Sequence, residues 1–231
     1  MILLGTSISI YVLAFDYRGF GSSTGTSTEG TLTQDAVDVV RWVIEVANIP
    51  ADRILLVAQS LGTAVACTAA DCFIDNETKV EFAELVLCAT FTHAAAVFLN
   101  YSIGGSFSVH ASLRQSYTLI TCFTQQMTDT WKPADRLAMD VWKSSKLHMT
   151  FVHATTDSVV PWTEADRLFH LAVNALEDEN LSAKVIEERR RTTDLGEVSW
   201  IHSWGNKQKL VQEVIVKHGG AFRCTHNLVP H

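Results

Sequence analysis

Short apolar runs alternate with helical patterns along this chain, and no other sequence feature restricts the possible folds as strongly. Strand-like runs occupy residues 11–15, 54–57, 85–89 and 149–154, with shorter candidates at 185–186 and 214–216. Several of these runs are apolar at successive positions, which is typical of parallel strands buried on both faces. Because helical segments separate them, the sequence predicts the α/β class, with a mostly parallel central sheet and helices on both faces.

The clearest helical pattern follows a loop rich in Gly, Ser and Thr at residues 19–30. One face of this segment carries apolar side chains at helical spacing, namely Leu32, Ala36, Val39, Val40, Val43 and Ala47. Thr31 and Gln34 have the spacing of a capping box, and Pro50 marks the end of the helical region. Two further helices are predicted at residues 61–73 and from Thr163 onward.

Composition favours one globular domain over residues 1–231. With 47% hydrophobic residues, a chain of 231 residues can bury about three quarters of its unfolded surface. The formal net charge of −7 provides no basic surface for a phosphate backbone, and the one short basic run is Arg189-Arg190-Arg191. Nucleic acid is therefore not expected as a partner.

Cysteine usage and the N-terminal residues favour an intracellular protein. The five cysteines, Cys67, Cys72, Cys88, Cys122 and Cys224, form no CxxC pair and are interpreted as buried thiols in a reducing compartment. Residues 1–15 are apolar but lack a basic n-region and a small-residue cleavage site, so they do not match a signal peptide. They are also shorter than the about 20 residues that a membrane-spanning helix needs. A cytoplasmic location is the default expectation, with contact to a membrane surface left open.

Residues 91–146 interrupt the alternation of strands and helices. Aromatic, Gly/Ser and short helical patterns are mixed in this segment, which is too long for an ordinary loop. We expect it to be a lid-like insertion. Its apolar side chains are candidates for an acyl pocket, with ordinary core packing as the alternative; they are Phe91, Val97, Phe98, Leu99, Tyr101, Ile103 and Phe107.

The sequence Ala-Gln-Ser-Leu-Gly at residues 58–62 joins a predicted strand to a predicted helix. A serine nucleophile at such a sharp turn requires small residues two positions before it and two positions after it. Here these are Ala58 and Gly62, so the pattern differs from GxSxG by one methyl group. We therefore interpret Ser60 as a nucleophile. The alternative is that Ser60 only caps the helix, because Ser is a favoured N-cap residue.

Two segments, VLAFDYRGFGSSTG at residues 12–25 and RILLVAQSLGTAVA at residues 53–66, resemble the α/β-hydrolase superfamily. The similarity is to the branch that contains monoacylglycerol and lysophospholipid lipases and related fungal serine hydrolases, and it extends over residues 11–220. The resemblance implies the fold and a triad in the chain order Ser, acid, His. It also implies that residues 16–21 form a structural turn beside the active site, without a catalytic role.

The resemblance assigns the acid of the triad to Asp157. This residue comes just after the predicted strand 149–154 and before Val160-Pro161, where relatives carry an aspartate followed by an apolar residue and proline. An Asx turn or a helix entry is the structural alternative for Asp157. Asp166 lies inside the next helix and is expected only to favour the N-terminal end of that helix.

The position of the histidine is open. Relatives end the last strand with a loop similar to Gly-Gly-His-Asn, whereas this chain has Ala221 directly after the two glycines. His226 keeps the His-Asn pair further along the chain, and His218 follows the strand directly. His226 is the preferred general base. His202 and His231 are expected to be structural or exposed.

The resemblance also implies an oxyanion hole with two N–H donors, one of which is the amide of Leu61. The second donor comes from a loop that precedes the strand at residues 11–15 in this fold. Neither that loop nor the usual early strands can be identified here, so the chain is expected to be truncated at its N-terminus. The HGGAF sequence at residues 218–222 resembles such a loop, but it lies downstream of Ser60 and is interpreted as the remnant of the histidine loop.

These features together predict a serine hydrolase that acts on small-molecule esters or lipid esters. Two alternatives remain. One is a non-catalytic or weakly active remnant of the fold with a binding role, and the other is peptidase or acyltransferase chemistry on the same triad. No cofactor or metal is expected, because the chain has no HExxH, Walker or GxGxxG pattern.

Overall fold

The structure, a computed structural model, describes residues 10–74, 80–93, 102–103, 107–108 and 131–219. Within these residues the strands are β1 (Leu55–Gln59), β2 (Glu84–Cys88), β3 (Ser102–Ile103), β4 (Phe107–Ser108), β5 (His148–Ala154), β6 (Arg191–Gly196), β7 (Ser199–Gly205) and β8 (Leu210–Val216). The helices are α1 (Glu29–Glu45), α2 (Leu61–Ile74), α3 (Pro133–Lys143), α4 (Thr163–Glu177) and α5 (Ala183–Arg189), and a short 3-10 helix covers Ala51–Arg53.

The central sheet has the strand order β1-β2-β5-β8-β7-β6. The first four strands in this order are parallel, and β7 and β6 extend the sheet as an antiparallel hairpin. The register pairs Val57 with Val86 and Cys88 with Val152. Parallel strands place their carboxyl ends at one edge of the sheet, where binding sites of such folds are found. The α/β class and the mostly parallel sheet are confirmed.

The two faces of the sheet have different neighbours. On one face, Leu85 and Leu87 of β2 and Phe151 of β5 belong to the main core, to which all five described helices contribute buried residues. On the other face, alternate strand residues form a second cluster that contains no helix residue from the described part of the chain; its members are Cys88, Val152 and Ala154, with Val86, Val214 and Val216 packed against them. The expected helices are therefore found on one face within the described residues.

The last part of the segment that we expected to be a lid packs as a core helix. Helix α3 has Pro133 at its start. Proline is well tolerated there, because an N–H group in the first turn of a helix has no intrahelical acceptor. Leu137 and Val141 are fully buried in the main core, and α3 lies between α2 and α4. Most of the rest of 91–146 lies outside the described residues, so the lid stays a prediction.

Residues 11–15 are not a strand in the structure, so this prediction is wrong. Tyr11 and Val12 are 92% and 88% exposed. No neighbouring strand pairs with them among the residues that the structure describes. Strand-favouring side chains are insufficient here, because a strand is stabilised by the packing and hydrogen bonds of an adjacent strand.

Local capping corrects two further predictions. The capping box of α1 is formed by Thr28 and Thr31, so the helix begins earlier than a box at Thr31 and Gln34 would place it. Residues 185–186 belong to helix α5 rather than to a strand, because the Ser182 side chain accepts a hydrogen bond from the Val185 amide and caps the helix. One side-chain oxygen at the cap favours the helix by about 1 kcal/mol, enough to decide a short segment.

Candidate active site

Ser60 joins the carboxyl end of β1 to the start of α2 with a left-handed backbone, at a φ of 50°. A non-glycine residue in this region is strained by about 1 kcal/mol or more. The Ser60 amide donates to the Cys88 carbonyl at 2.9 Å, and the Ser60 carbonyl accepts from the Thr63 hydroxyl at 2.6 Å. An ordinary N-cap residue has an extended backbone, so this geometry favours the elbow over a simple cap.

Small side chains flank the elbow. A Cβ atom built on Gly62 would lie 3.9 Å from the Cβ atom of Ala58, which is an ordinary van der Waals contact. The space at Gly62 therefore accepts one methyl group. The Thr90 hydroxyl donates to the Thr63 hydroxyl at 3.1 Å and attaches the first turn of α2 to the segment after β2.

Leu61, the predicted oxyanion donor, is the first residue of α2. The first N–H groups of a helix have no intrahelical acceptor, and they lie at the positive end of the helix dipole. The Leu61 residue is 40% exposed, so the elbow opens toward solvent. Its amide is suited to donate a hydrogen bond to an oxygen that gains negative charge.

Asp157 lies in the turn after β5, and its side chain is only 1% exposed. Its Oδ1 accepts hydrogen bonds from the amides of Val159 at 2.9 Å and Val160 at 3.0 Å, as in an Asx turn. Its Oδ2 is buried and has no hydrogen-bond partner among the described residues. An acid that orients a histidine needs a carboxylate oxygen that is not already hydrogen-bonded. Oδ1 therefore serves the Asx turn, and Oδ2 is the oxygen suited to the proposed acid role.

Ser60 and Asp157 lie at the same edge of the sheet. They follow β1 and β5, which are the two parallel neighbours of β2. Two strand spacings amount to about 10 Å, too far for direct contact between the two side chains. A third side chain from a neighbouring loop is needed to connect them.

The chain that leaves β8 is attached to the Asp157 turn by two consecutive threonines. The Thr155 hydroxyl donates to the Lys217 carbonyl at 2.9 Å. The Thr156 hydroxyl donates to the Gly219 carbonyl at 3.1 Å and accepts from the Gly219 amide at 3.3 Å. We refer to these contacts as the threonine tether. The tether is not apparent from the sequence, where a Thr-Thr pair after a buried strand is its only signal.

Of the two histidines that are candidates for the general base, the structure describes only one. His226 lies outside the described residues, so the structure does not test it. His218 is described, lies just after β8 and is exposed. Residues following Gly219 begin beside the Asp157 turn because of the threonine tether. The seven residues from Gly219 to His226 can span at most about 24 Å. The separation of His226 from Gly219 along the chain therefore does not exclude His226 as the general base.

The turn at residues 16–21 has structural contacts of its own. The Arg18 amide donates to Asp35 Oδ2 at 2.9 Å, and the Arg18 Nε donates to Asp35 Oδ1 at 2.7 Å, which joins the turn to α1. The hydrogen bond from Arg18 lowers the pKa of Asp35. Gly21 has a left-handed backbone at a φ of 55°, and a Cβ atom there would contact the Asp16 carboxylate, so any other residue would be strained and would displace the Asp16 side chain.

Asp166, His170 and Glu187 are the described residues whose arrangement most resembles a metal site. Their potential ligand atoms lie within 4.8 Å of one another. The Arg190 guanidinium lies 3.7 Å from Asp166 Oδ1 and also pairs with Glu187. Because a cationic side chain already neutralises these carboxylates, the cluster is accounted for as an ion-pair network.

His202, for which the sequence predicts a structural or exposed position, is buried beside Glu213. Its Nδ1 lies 2.8 Å from Glu213 Oε2. Burial lowers the pKa of His202 to about 4 and raises the pKa of Glu213 to about 8. Both shifts favour a neutral pair in which the Glu213 carboxyl donates to the imidazole. His202 and Glu213 pair across β7 and β8, and His202 packs against Phe169 of α4. They serve the packing of this side of the sheet and are not part of the candidate site at Ser60.

Comparison with known protein sequences gives a consistent result. A sequence model of the Alpha/beta hydrolase family matches residues 3–222. Human Protein ABHD12B is 30% identical over 179 residues, which are 76% of this chain and 45% of that protein. The uncharacterized protein YfhR of Salmonella typhi is 27% identical over 165 residues, which are 71% of this chain and 50% of that protein. The lysophosphatidylserine lipase ABHD12 of Xenopus tropicalis is 33% identical over 88 residues, which are 38% of this chain and 22% of that protein.

Among solved structures, an alpha-beta hydrolase from Vibrio vulnificus has a similar fold, with a TM-score of 0.53. It is 15% identical, and the likeness covers 72% of this chain and 52% of that chain. This chain spans about half the length of the curated relatives it matches. None of the helices within the described residues has the length and apolar character that crossing a membrane requires.

Proposed function

The chain belongs to the alpha/beta hydrolase family, and on that premise we propose that it hydrolyses carboxylic esters with Ser60 as the nucleophile. The observation that carries the proposal is the left-handed backbone of Ser60 between β1 and α2. Strain of this kind persists only where neighbouring contacts impose it, and it is concentrated at active sites. The hydrogen bonds to Cys88 and Thr63 are contacts of that kind.

In the proposed reaction, the Ser60 hydroxyl oxygen attacks the carbonyl carbon of the ester while a histidine accepts the hydroxyl proton. The Leu61 amide stabilises the negative charge on the carbonyl oxygen. The ester C–O bond then breaks, and the histidine gives its proton to the oxygen of the leaving alcohol. A water molecule attacks the resulting acyl-serine with the histidine again as base, which releases the carboxylic acid and restores Ser60.

Asp157 is the proposed acid that orients this histidine. Its Oδ1 already accepts two backbone hydrogen bonds, so its buried Oδ2 is the oxygen available to the histidine Nδ1–H. We propose His226 as the base, with His218 as the alternative. Both lie near Gly219 in the chain, and the threonine tether holds Gly219 beside the Asp157 turn.

We further propose that the substrates include lipid esters such as monoacylglycerols or lysophospholipids. Support comes from the relative in Xenopus tropicalis, a lysophosphatidylserine lipase that matches 38% of this chain. The exposed elbow at Leu61 also leaves access to Ser60 from solvent. Hydrolysis of lipid esters is therefore the first activity to assay.

Covalent labelling with a fluorophosphonate probe, followed by mass-spectrometric mapping, tests the nucleophile. We expect an adduct on Ser60 and its loss in Ser60→Ala. Ser158→Ala is the matched control, because Ser158 is an exposed serine beside Asp157 and should leave the labelling unchanged. Labelling at another residue in a folded protein, with Ser60 unmodified, would contradict the assignment.

Turnover is measured separately with p-nitrophenyl butyrate, a monoacylglycerol and a lysophospholipid. Ser60-dependent release of the acid from any of these supports the hydrolase. A protein that binds these lipids but neither labels nor turns over would favour the alternative of a binding role.

A further inference from the structure

A buried histidine that the proposed mechanism does not use lies in β5, next to the Asp157 turn. His153 is in β5 and is fully buried. Its Nε2 lies 2.8 Å from the carbonyl oxygen of Val160. Because a carbonyl oxygen only accepts, Nε2 carries the proton and Nδ1 is the unprotonated nitrogen of a neutral ring.

Val160 connects His153 to Asp157. The Val160 amide donates to Asp157 Oδ1 at 3.0 Å, and the Val160 carbonyl accepts from His153. Both backbone polar groups of this residue are therefore engaged, and its side chain is fully buried. A displacement of the Val160 carbonyl would move the peptide segment whose amide holds the Asp157 carboxylate.

The same arrangement leaves the second carboxylate oxygen available. His153 Nε2 is 3.7 Å from Asp157 Oδ2, beyond hydrogen-bond distance, and its proton is directed to Val160. Burial lowers the pKa of His153, against the opposing effects of the Val160 hydrogen bond and the charges of Asp157 and Glu164. A neutral His153 forms no ion pair with Asp157 and does not compete for Oδ2.

We propose that His153 is a positioning residue for the acid. Its Nε2–H fixes the Val160 backbone, and the Val160 amide in turn sets the orientation in which Asp157 presents Oδ2 to the catalytic histidine. This inference rests on the proposed function, because it takes Asp157 as the acid of the triad.

Two variants of the full chain separate the hydrogen bond from the volume of the ring. His153→Gln keeps an N–H donor near the position of Nε2, whereas His153→Leu fills the site without a donor. The first readout is the rate constant for fluorophosphonate labelling of Ser60 as a function of pH. We expect the Leu variant to label about 10- to 100-fold more slowly, with the midpoint of its pH profile shifted to lower pH, because a misplaced Asp157 stabilises the protonated base less. The Gln variant should stay within about 3-fold of the wild type, with an unchanged midpoint.

The second readout is amide hydrogen exchange at Val159 and Val160, which does not depend on catalysis. We expect faster exchange in the Leu variant than in the Gln variant, with exchange in β1 unchanged as the control. If His153→Leu fails to fold, His153→Asn replaces it, because the shorter amide does not extend to the Val160 carbonyl.

Several outcomes would overturn the proposal. A folded Leu variant with the wild-type rate and pH midpoint is one. A Gln variant that loses as much labelling as the Leu variant is another, because the ring and not its N–H would then be responsible. If the wild type does not label at Ser60, the proposed function fails, and hydrogen exchange alone decides: equal exchange in the wild type and both variants would show that His153 does not hold the Asp157 turn.

Discussion

Replacing Asp140 by Asn should stabilise the protein at neutral pH, because this residue is a buried carboxyl without a partner. Asp140 lies in α3 and is fully buried, and neither carboxylate oxygen has a hydrogen-bond partner within the described residues. The nearest cations are engaged elsewhere: Arg136 and Lys143 pair with Asp71 at 2.9 Å and 3.1 Å. Burial, together with the charge of Asp71, raises the pKa of Asp140 to about 8, against the opposing charges of Lys143 and Arg136.

The sign and size of the effect follow from proton binding. From about pH 4 to about pH 8 the folded chain keeps the Asp140 proton and the unfolded chain releases it, so stability falls as the pH rises through this window. The ordinary pKa is 3.8, so ionisation of the unfolded chain at pH 7 favours unfolding by about 4 kcal/mol. Asp140→Asn removes this contribution. We expect a gain of about 4 kcal/mol at pH 7 and little change at pH 4.

Urea denaturation of the wild type and the variant from pH 5 to pH 8 measures this difference. Asp135→Asn is the control, because Asp135 is exposed in the first turn of the same helix and should contribute only about 0.5 kcal/mol through the helix dipole. If the unfolding free energies of the wild type and Asp140→Asn run parallel across this pH range, the folded protein does not hold the Asp140 proton and the reasoning is refuted.

Three further predictions concern the elbow and the acid. Ser60→Gly should be more stable than Ser60→Ala by about 1 kcal/mol in urea denaturation, because glycine adopts the φ of 50° without strain; the reverse order would contradict strain at this residue. Gly62→Ala should be accommodated and should stabilise α2 by up to about 1 kcal/mol, because the new Cβ atom contacts Ala58 at 3.9 Å; a lower melting temperature would show that the elbow has no such space. Asp157→Asn should fold normally but lower Ser60-dependent ester hydrolysis by about 10⁴-fold, while Asp166→Asn leaves the rate unchanged; equal rates for both variants would move the acid role to another residue.

The elbow could be predicted from the sequence because its constraints are local. Ala58 and Gly62 have to be small, and the hydrophobic period changes from strand to helix at Ser60 itself. The environment of Asp157 could not be predicted in the same way. Its neighbours act through backbone amides, which leave no trace in side-chain identity, and a histidine in a buried strand, such as His153, is usually interpreted as ordinary core.

The β6–β7 hairpin was missed for two physical reasons. Strand β6 has only exposed residues, so it shows no alternation of apolar and polar side chains. Its turn has a left-handed backbone at Gly196, Glu197 and Val198, at φ values of 76°, 49° and 63°. Only the glycine signals such a turn, because a β-branched residue is seldom found in this region. Residues 11–15 show the opposite error, since suitable composition is not sufficient without a neighbouring strand.

The threonine tether decides where this chain tolerates changes in length. Residues added after Gly219 would leave the hydrogen bonds between Thr156 and Gly219 in place beside the Asp157 turn. One residue added between Ala154 and Thr155 would instead shift the hydroxyls of both Thr155 and Thr156 away from the carbonyls of Lys217 and Gly219. The two sides of the candidate site would then separate in a single step. Insertions directly after β5 are therefore incompatible with this architecture.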